Sequence, residues 1–313
     1  MHRSQTRSLP LDLNFEATTR CDSRCSYCAR EKAIKKGTKD CGDMDFEVTR
    51  RIVQEFSSLP PQKNMTVAPV GLGEPLLHPR FFEIVELLRN AMPYAIIHAN
   101  TNGISMDKPK CKRIVNCGLK LLTISINSHD RETYRKLNGV DKFDTVVENT
   151  KTLLRIKGSR QPNVIIQILD IDINKPHYQE LIDSWTPHLN TNDSLRLQPF
   201  DNWTGQIRKE EYTKKKSRKK RYPCPALYST VMVDKDGYVF PCCESMIHGS
   251  ESDLCLGNIT KKGIKQMFLK EDHVWRIREI HRKNEFEKLD ACKDCSAWEV
   301  MSNIFLDIAG SWM

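Results

Sequence analysis

The sequence contains no long apolar run and no apolar stretch at its N-terminus. No segment of the 313 residues approaches the roughly 20 consecutive apolar residues that a membrane-spanning helix requires. The first eight residues carry charge but lack the apolar core of a secretory signal peptide. With an apolar fraction of 39%, these absences predict a cytoplasmic protein without a membrane partner. Thiols stay reduced in the cytoplasm, so clustered cysteines there usually serve metal binding or catalysis.

The net charge of +9 comes largely from one run, Lys-Lys-Lys-Ser-Arg-Lys-Lys-Arg over residues 214–221. A block of like charges is usually a solvated linker, because its members repel one another. Nucleic-acid binding is the alternative interpretation, but no aromatic residue interleaves the run before Tyr222. We therefore do not expect a nucleic-acid partner.

Three of the 12 cysteines lie close together near the start of the chain. Cys21, Cys25 and Cys28 form a C-x3-C-x2-C pattern. Three thiolates on one loop can ligate three irons of a 4Fe–4S cube and leave the fourth iron open to a substrate or cosubstrate. A structural zinc site is the alternative, but zinc takes four ligands and this loop supplies three. The spacing therefore favours a reactive iron–sulfur cluster.

Strand-like and helix-like patterns alternate over the first two thirds of the chain. Strand patterns fall at 11–16, 65–72, 95–99, 121–126, 164–169 and 194–198, and helical patterns at 45–59, 81–92, 110–117, 145–157 and 177–189. This alternation predicts an α/β fold with parallel strands, a partial (β/α)6 TIM-like barrel. The three cysteines, Gly73-Glu74 and residues 100–103 each follow a strand, so they are expected to meet at one rim of that barrel.

The character of the sequence changes after about residue 205. Residues 230–240 predict a β-hairpin that turns at Asp236-Gly237. A helix is predicted over about 261–283, followed by Cys292 and Cys295. We therefore divide the chain into a barrel domain, 1–207, and a small C-terminal domain, 208–313.

These motifs resemble the radical SAM superfamily over about residues 11–205. The three-cysteine loop matches the family hallmark, and Gly73-Glu74 resembles its Gly-Gly-Glu motif, which holds the amino group of S-adenosylmethionine (SAM). The resemblance implies that the backbone of Tyr27 contacts adenine. It also implies that Ser125 and Asn127 contact the SAM carboxylate and ribose, although the family more often has Asp at position 127. Further candidate SAM-binding residues at the same rim are Asn100 and Asn102.

The C-terminal third resembles the twitch or SPASM domain, which binds an auxiliary 4Fe–4S cluster. The implied ligands are Cys224, Cys242, Cys292 and Cys295. The additional C-x2-C-x5-C-x3-C run of a two-cluster SPASM domain is missing, so the single-cluster form fits better. That form resembles 2-deoxy-scyllo-inosamine dehydrogenases and related aminoglycoside-modifying radical enzymes. A structural zinc held by the same four thiolates is the alternative.

The resemblance implies reductive cleavage of SAM to a 5′-deoxyadenosyl radical, which removes a hydrogen atom from the substrate. An oxidation then passes an electron to the auxiliary cluster, whereas an epimerisation needs a thiol that returns a hydrogen atom. Cys243 and Cys255 flank the auxiliary ligands and are the candidate catalytic thiols, with inert packing as the alternative. The family resemblance also implies a flavodoxin or ferredoxin as electron donor.

Three functions compete at this point. The first is oxidation or epimerisation of a polar small molecule such as a sugar or aminocyclitol. The second is modification of a peptide or protein. It is disfavoured because the first strand begins by about residue 11, which is expected to leave no room for a leader-binding domain. The third is a non-catalytic iron–sulfur or zinc protein that binds nucleic acid through its basic run.

Overall fold

The computed structural model describes residues 9–214 and 220–300. The predicted basic run at 214–221 therefore lies largely outside the described residues. In the described part, the strands are β1 (Asp12–Phe15), β2 (Thr66–Ala68), β3 (Ile96–Thr101), β4 (Leu121–Ser125), β5 (Asn163–Asp170), β6 (Ser194–Pro199), β7 (Thr230–Val233), β8 (Tyr238–Phe240) and β9 (Gly257–Asn258).

These strands form one sheet in the order β6-β5-β4-β3-β2-β1-β7-β8-β9. The first six strands pair in parallel, so the predicted α/β partial barrel is confirmed. Their connections contain helices because a parallel pair needs a long crossover. The carboxyl ends of these strands consequently lie at one edge of the sheet.

The helices are α1 (Arg30–Lys35), α2 (Phe46–Ser57), α3 (Phe81–Ala91), α4 (Lys108–Asn116), α5 (Arg131–Asn138), α6 (Phe143–Lys157), α7 (Tyr178–Trp185), α8 (Ala226–Ser229), α9 (Ile264–Leu269) and α10 (Asp272–Arg282). Helix α2 begins where Asp45 caps it by accepting from the backbone N–H of Glu47. None of the helices in the described ranges is long and apolar enough to cross a membrane.

Three expectations about helices need correction. The single helix predicted over 261–283 is divided into α9 and α10, because Glu271 adopts an extended conformation between them. The predicted helix at 177–189 ends at Trp185 and continues as a short 3-10 helix, Thr186–His188, which contains Pro187. The short helices α1 and α5 were not predicted, since their hydrophobic periodicity spans fewer than three turns.

The predicted hairpin at Asp236-Gly237 is confirmed, since β7 and β8 pair antiparallel. Gly237 has φ +85°, the left-handed conformation that glycine tolerates best. Strand β7 also pairs in parallel with β1, with Leu13 opposite Val231. The C-terminal region therefore continues the sheet of the barrel instead of standing apart from it. The division at 207/208 stays a prediction.

One side of the parallel strands packs against the helices, and the other faces the barrel interior. In β5, for example, Val164, Ile166 and Ile168 are fully buried, whereas Ile165 and Gln167 between them are only partly buried. This period of two is the pattern of a strand whose faces meet different surroundings. The apolar core thus lies between sheet and helices, and the inner face remains available for a site.

A buried ionic cluster joins the loop after α1 to the ends of β1 and β7. Lys39 Nζ lies 3.3 Å from Glu16 Oε2 and 2.8 Å from Asp234 Oδ2. The side chains of all three are at most 2% exposed. Glu16 also accepts from the backbone N–H of Leu72, after β2. Removing one member of such a cluster leaves the others charged and buried, which is costly.

We expect Lys39→Ala to lower the free energy of unfolding by about 3–5 kcal/mol, because Glu16 and Asp234 would then lack their cation. Chemical denaturation of the full-length protein under anaerobic conditions measures this loss. The control is Lys288→Ala, which removes an exposed ion pair with Glu285 and should cost less than about 1 kcal/mol. Equal losses in the two variants would show that the buried cluster contributes no more to the free energy of unfolding than an exposed ion pair does.

Candidate functional site

The cysteine loop, residues 16–29, follows β1 and is attached to the end of α5. The backbone N–H of Arg24 donates to Asn138 O (2.9 Å), and that of Ser26 donates to Leu137 O (2.8 Å). Gly139, which caps α5 with φ +68°, lies so close that a Cβ there would be 2.5 Å from Arg24 O. The contact therefore requires glycine. Helix α5, which sequence reasoning missed, is what positions the loop.

The three thiols of the loop are partly buried. Burial raises the pKa of Cys21 and of Cys28 to about 12, and it also raises the pKa of Cys25. Cys25 Sγ lies 3.2 Å from Ser23 Oγ and donates to Asn138 Oδ1 (3.3 Å). Bare thiols in this setting stay protonated, and a cationic metal centre would stabilise the thiolates. The donor set, three soft sulfurs on one loop, fits an iron–sulfur cluster.

No group of three or more His, Cys, Asp or Glu side chains in residues 9–214 and 220–300 is arranged around a single metal-ion position.

Gly73 and Glu74 lie against the start of the cysteine loop. A Cβ on Gly73 would be 2.2 Å from Thr18 O and 2.7 Å from Arg20 O. The backbone N–H of Glu74 donates to Arg20 O (2.7 Å). Any side chain at position 73 would therefore displace the loop that carries Cys21, so the glycine fixes how closely the two motifs approach.

The Glu74 carboxylate is buried and accepts three hydrogen bonds. Its Oε1 accepts from the backbone N–H of Leu76 (3.0 Å) and from Thr101 Oγ1 (2.8 Å), and its Oε2 accepts from the backbone N–H of Asn102 (2.7 Å). Burial nevertheless raises its pKa to about 7. A buried carboxylate without a cation is costly, so this site suits a ligand that carries an ammonium group.

Asn102 connects these two motifs. Its Nδ2 donates to Asp22 Oδ1 (2.6 Å) and lies 3.8 Å from Cys21 Sγ. The structure therefore brings the cysteine loop, Glu74 and the end of β3 together at one rim, where the sequence placed them.

Tyr27 and Asn127 also lie together. Asn127 Nδ2 donates to Tyr27 OH (2.8 Å), which in turn donates to Asn138 Oδ1 (2.8 Å). Asn127 has φ +62°, and its Oδ1 is buried without a hydrogen-bond partner in the described part of the chain. An unpaired buried acceptor at this position suits a ligand hydroxyl.

The inner strand faces at this edge of the sheet carry a polar row, which we define as Ser125, Gln167 and Arg196. Gln167 Nε2 donates to Ser125 Oγ (3.4 Å), and Arg196 Nη2 donates to Gln167 Oε1 (2.7 Å). Burial lowers the pKa of His98 on the neighbouring β3, and the charge of Arg196 acts in the same direction. Asn100, two residues after His98, is exposed. Sequence reasoning named Ser125 and Asn100 but gave no role to the others.

The four C-terminal cysteines line one cavity. Cys224, Cys242, Cys292 and Cys295 surround it together with Arg221, His281 and Trp298. Burial raises the pKa of Cys224 to about 12 and also raises those of Cys292 and Cys295. A hydrogen bond from Cys243 lowers the pKa of Cys242. Four convergent thiols fit the complete ligand set of one iron–sulfur cluster.

Two residues of this cavity were missed by sequence reasoning. His281 Nε2 lies 3.3 Å from Cys292 Sγ, and Arg221 Nη1 donates to Cys292 O (2.7 Å). Burial and the charge of Arg221 lower the pKa of His281 to about 4. The one available signal was that His281 shares the apolar face of α10 with Val274 and Ile277.

The remaining cysteines lie outside both ligand sets. The partly buried thiols of Cys243 and Cys255 pack beside a small apolar cluster that includes Met232 and Phe240. Cys243 Sγ is 3.8 Å from Glu244 Oε1, and Cys255 Sγ is 3.9 Å from Gly257 O. A catalytic role for either thiol remains a prediction.

Comparison with known protein families gives two matches. Residues 15–183 match the radical SAM superfamily, and residues 224–296 match SPASM, an iron–sulfur cluster-binding domain. A radical SAM domain binds a 4Fe–4S cluster and SAM, and a SPASM domain binds an auxiliary iron–sulfur cluster. The cofactors implied by the sequence motifs are thereby confirmed.

Individual proteins give more distant matches. The chain is 26% identical over 190 residues to GTP 3′,8-cyclase of Chlorobaculum tepidum, covering 60% of this chain and 54% of that protein. The chain thus spans about half the length of this curated relative. BtrN in complex with AdoMet and 2-DOIA has a TM-score of 0.62 at 18% identity, covering 93% of this chain and 94% of BtrN.

A second solved structure, SuiB of Streptococcus suis bound to the precursor peptide SuiA, has a TM-score of 0.68 at 15% identity. The match covers 94% of this chain and 71% of SuiB. At these identities the structural matches show a common fold. The superfamily match spans more than half of the sequence and contains the three-cysteine loop, Gly73 and Glu74. The chain therefore belongs to the radical SAM superfamily and carries a C-terminal SPASM domain.

Proposed function

We propose that this radical SAM enzyme oxidises or epimerises a carbon centre of a polar small molecule, such as a sugar or aminocyclitol. The observation that carries this proposal is the polar row of Ser125, Gln167 and Arg196 on the inner face of the barrel. Its amide, hydroxyl and guanidinium groups are partly buried and suit a substrate with several hydroxyl groups, because ligand pockets orient polar ligands through a few well-placed hydrogen-bonding groups.

We assign the first cluster to Cys21, Cys25 and Cys28. Glu74 would accept the SAM ammonium group, and Gly73 would hold the adjoining backbone against the cysteine loop. The backbone of Tyr27 would lie beside adenine, and candidate contacts to the rest of SAM are Asn100, Asn102, Ser125 and Asn127. When bound, the cluster and SAM supply the radical that abstracts hydrogen, and the protein supplies binding and orientation.

We assign the auxiliary cluster to Cys224, Cys242, Cys292 and Cys295, the four thiols that share one cavity. In an oxidation, the substrate loses one electron with the abstracted hydrogen atom. This cluster would accept the second electron that the substrate loses. In an epimerisation, the hydrogen atom would come from Cys243 or Cys255. We favour the oxidation, because the Cys243 thiol is engaged in a hydrogen bond to Cys242, a proposed cluster ligand, and Cys255 packs beside an apolar cluster.

The resemblance to BtrN supports a small-molecule substrate. The two chains match over nearly their whole lengths, and BtrN was crystallised with AdoMet and 2-DOIA. Since the identity is 18%, the substrate class, and not the individual compound, is what we transfer to this chain.

Peptide modification is the second candidate function. It is favoured by the TM-score of 0.68 with SuiB, which was crystallised with a precursor peptide. SuiB extends beyond the match, since 71% of its chain is covered. We rank this function second because the match covers 94% of BtrN but 71% of SuiB.

Radical SAM enzymes take electrons from a reductant, and we propose a flavodoxin or ferredoxin for this role. We also propose a cytoplasmic location, because thiols stay reduced there and remain available as cluster ligands.

Anaerobic reconstitution should give about eight irons per chain, from two 4Fe–4S clusters.

We expect Cys21→Ala to abolish 5′-deoxyadenosine formation, because it removes a ligand of the SAM-binding cluster. Cys292→Ala should retain SAM cleavage but stop product formation. Cys117→Ala, whose thiol contacts Ile114 O, is the control and should keep both iron and activity. Unchanged product yield with Cys292→Ala would contradict the electron-acceptor role.

Glu74→Gln should weaken SAM binding by about tenfold or more, since hydrogen bonds to charged groups contribute about 1.5–3 kcal/mol. Equilibrium dialysis of the reconstituted protein with labelled SAM measures the dissociation constant. Glu83→Gln changes an exposed carboxylate on α3 and should leave SAM binding unchanged. If both variants bind SAM as tightly as the parent, Glu74 does not hold the ammonium group.

Deuterated sugars and aminocyclitols test the substrate class directly. With a true substrate, deuterium from the attacked carbon should appear in 5′-deoxyadenosine, as measured by mass spectrometry. Peptides with deuterated residues form the second arm. Transfer from a peptide and from none of the small molecules would replace the first function with the second.

A further inference from the structure

His281 forms part of the wall of the cavity that contains the four C-terminal cysteines. It belongs to α10, is fully buried, and lies eleven residues before Cys292. Its ring packs edge-on against Phe286, with the ring centroids 5.0 Å apart. A buried imidazole next to a cluster ligand has few ways to move, so its two nitrogens have defined partners.

The contacts of the ring identify which nitrogen carries the proton. The backbone N–H of Cys224 donates to Nδ1 (3.3 Å), so Nδ1 is the acceptor and has no proton. In a neutral imidazole the proton is then on Nε2. Nε2 lies 3.3 Å from Cys292 Sγ. The arrangement is therefore an N–H that points at a ligand sulfur.

Arg221 contacts the backbone carbonyl of Cys292. Its Nη1 donates to Cys292 O (2.7 Å), and its guanidinium lies 4.1 Å from the centroid of the Phe286 ring. Two side chains from distant parts of the sequence thus fix both the carbonyl and the sulfur of Cys292. Acidic groups also act on this cavity, since the carboxyl groups of Asp201, Glu244 and Asp253 act on Cys242, Cys295 and Cys292 respectively.

We propose that His281 donates a hydrogen bond from Nε2 to the sulfur of Cys292 and so raises the reduction potential of the auxiliary cluster. A hydrogen bond to a cluster sulfur stabilises the reduced state, which carries more negative charge. His281 is a positioning residue, since it acts through Cys292 and keeps its proton throughout.

The consequence for catalysis rests on the proposed oxidation. In that reaction the substrate radical loses one electron, which reduces the auxiliary cluster by one electron, and one proton, which leaves to water. A higher reduction potential makes the cluster a better acceptor for that electron. The hydrogen bond itself is independent of the substrate, so it can be tested without knowing the reaction.

Two substitutions distinguish the hydrogen bond at Nδ1 of His281 from the hydrogen bond at Nε2. In His281→Asn, the amide oxygen can replace Nδ1 as the acceptor for Cys224, but the side chain is too short to reach Cys292. In His281→Gln, the longer amide can place an N–H near the position of Nε2. The two variants have similar polarity, and they differ in whether the sulfur keeps its donor.

The test is a redox titration monitored by electron paramagnetic resonance, in full-length protein that also carries Cys21→Ala, Cys25→Ala and Cys28→Ala. This background should retain about four irons, from the auxiliary cluster alone. We expect His281→Asn to shift the midpoint potential to a lower value and His281→Gln to leave it near that of the parent. An unchanged potential in a fully loaded His281→Asn variant would overturn the proposal.

His248→Gln is the control, because it substitutes another histidine of the C-terminal region. His248 Nε2 contacts Thr204 Oγ1 at 2.8 Å, and His248 is not among the residues that line the cysteine cavity. We expect no shift of the midpoint potential in this variant. A shift as large as that of His281→Asn would mean that the effect is not specific to the hydrogen bond, which would also overturn the proposal.

A second measurement needs no substitution and covers the case in which His281→Asn fails to assemble its cluster. The same background protein is labelled with ¹⁵N-histidine and reduced, and pulsed electron paramagnetic resonance detects nitrogens coupled to the cluster spin. We expect a histidine ¹⁵N coupling, and its absence would overturn the proposal. Neither measurement involves substrate, so a negative result in the deuterium experiment would leave this inference untouched.

Discussion

The packing of the cysteine loop against the end of α5 and against Gly73-Glu74 is the constraint on which the rest of the site depends. Backbone hydrogen bonds from Arg24 and Ser26 fix one side of the loop, and the bond from Glu74 to Arg20 O fixes the other. Because these are main-chain contacts, they set the backbone positions of the cysteines whatever side chains the contacting residues carry. Glycine at 73 and 139 permits the two close approaches.

Burial gives this arrangement its chemical character. It raises the pKa of Cys21, Cys28 and Glu74, so each group is poorly stabilised in its charged form without a ligand. An iron–sulfur cluster stabilises the thiolates, and an ammonium group stabilises the carboxylate. The same reasoning applies to Cys224, Cys292 and Cys295, whose pKa values burial also raises, and His281 and Arg221 contact Cys292. Both sites are therefore suited to ligands that stabilise negatively charged side chains.

The two sites belong to one continuous sheet. Strand β7 pairs with β1, the strand that leads into the cysteine loop, and Lys39 joins Glu16 after β1 to Asp234 after β7. A buried ion pair of this kind is specific in its geometry because neither partner finds water if it moves. The auxiliary region is thus fixed relative to the barrel by strand pairing and by a buried charge cluster.

The sequence by itself determined the strand order along the chain and the family, and it contains the cysteines that we propose as ligands of the two clusters, because strand alternation and metal-ligand spacing are local properties. The short helices α1 and α5, the break between α9 and α10, and the pairing of β7 with β1 were decided by tertiary packing. The same is true of His281, Arg221 and the polar row, since their contacts with Cys224, Cys292 and one another respectively join residues far apart in the sequence. A local pattern predicts on which face of a helix or strand a residue lies, but only the folded chain determines which residues contact that face.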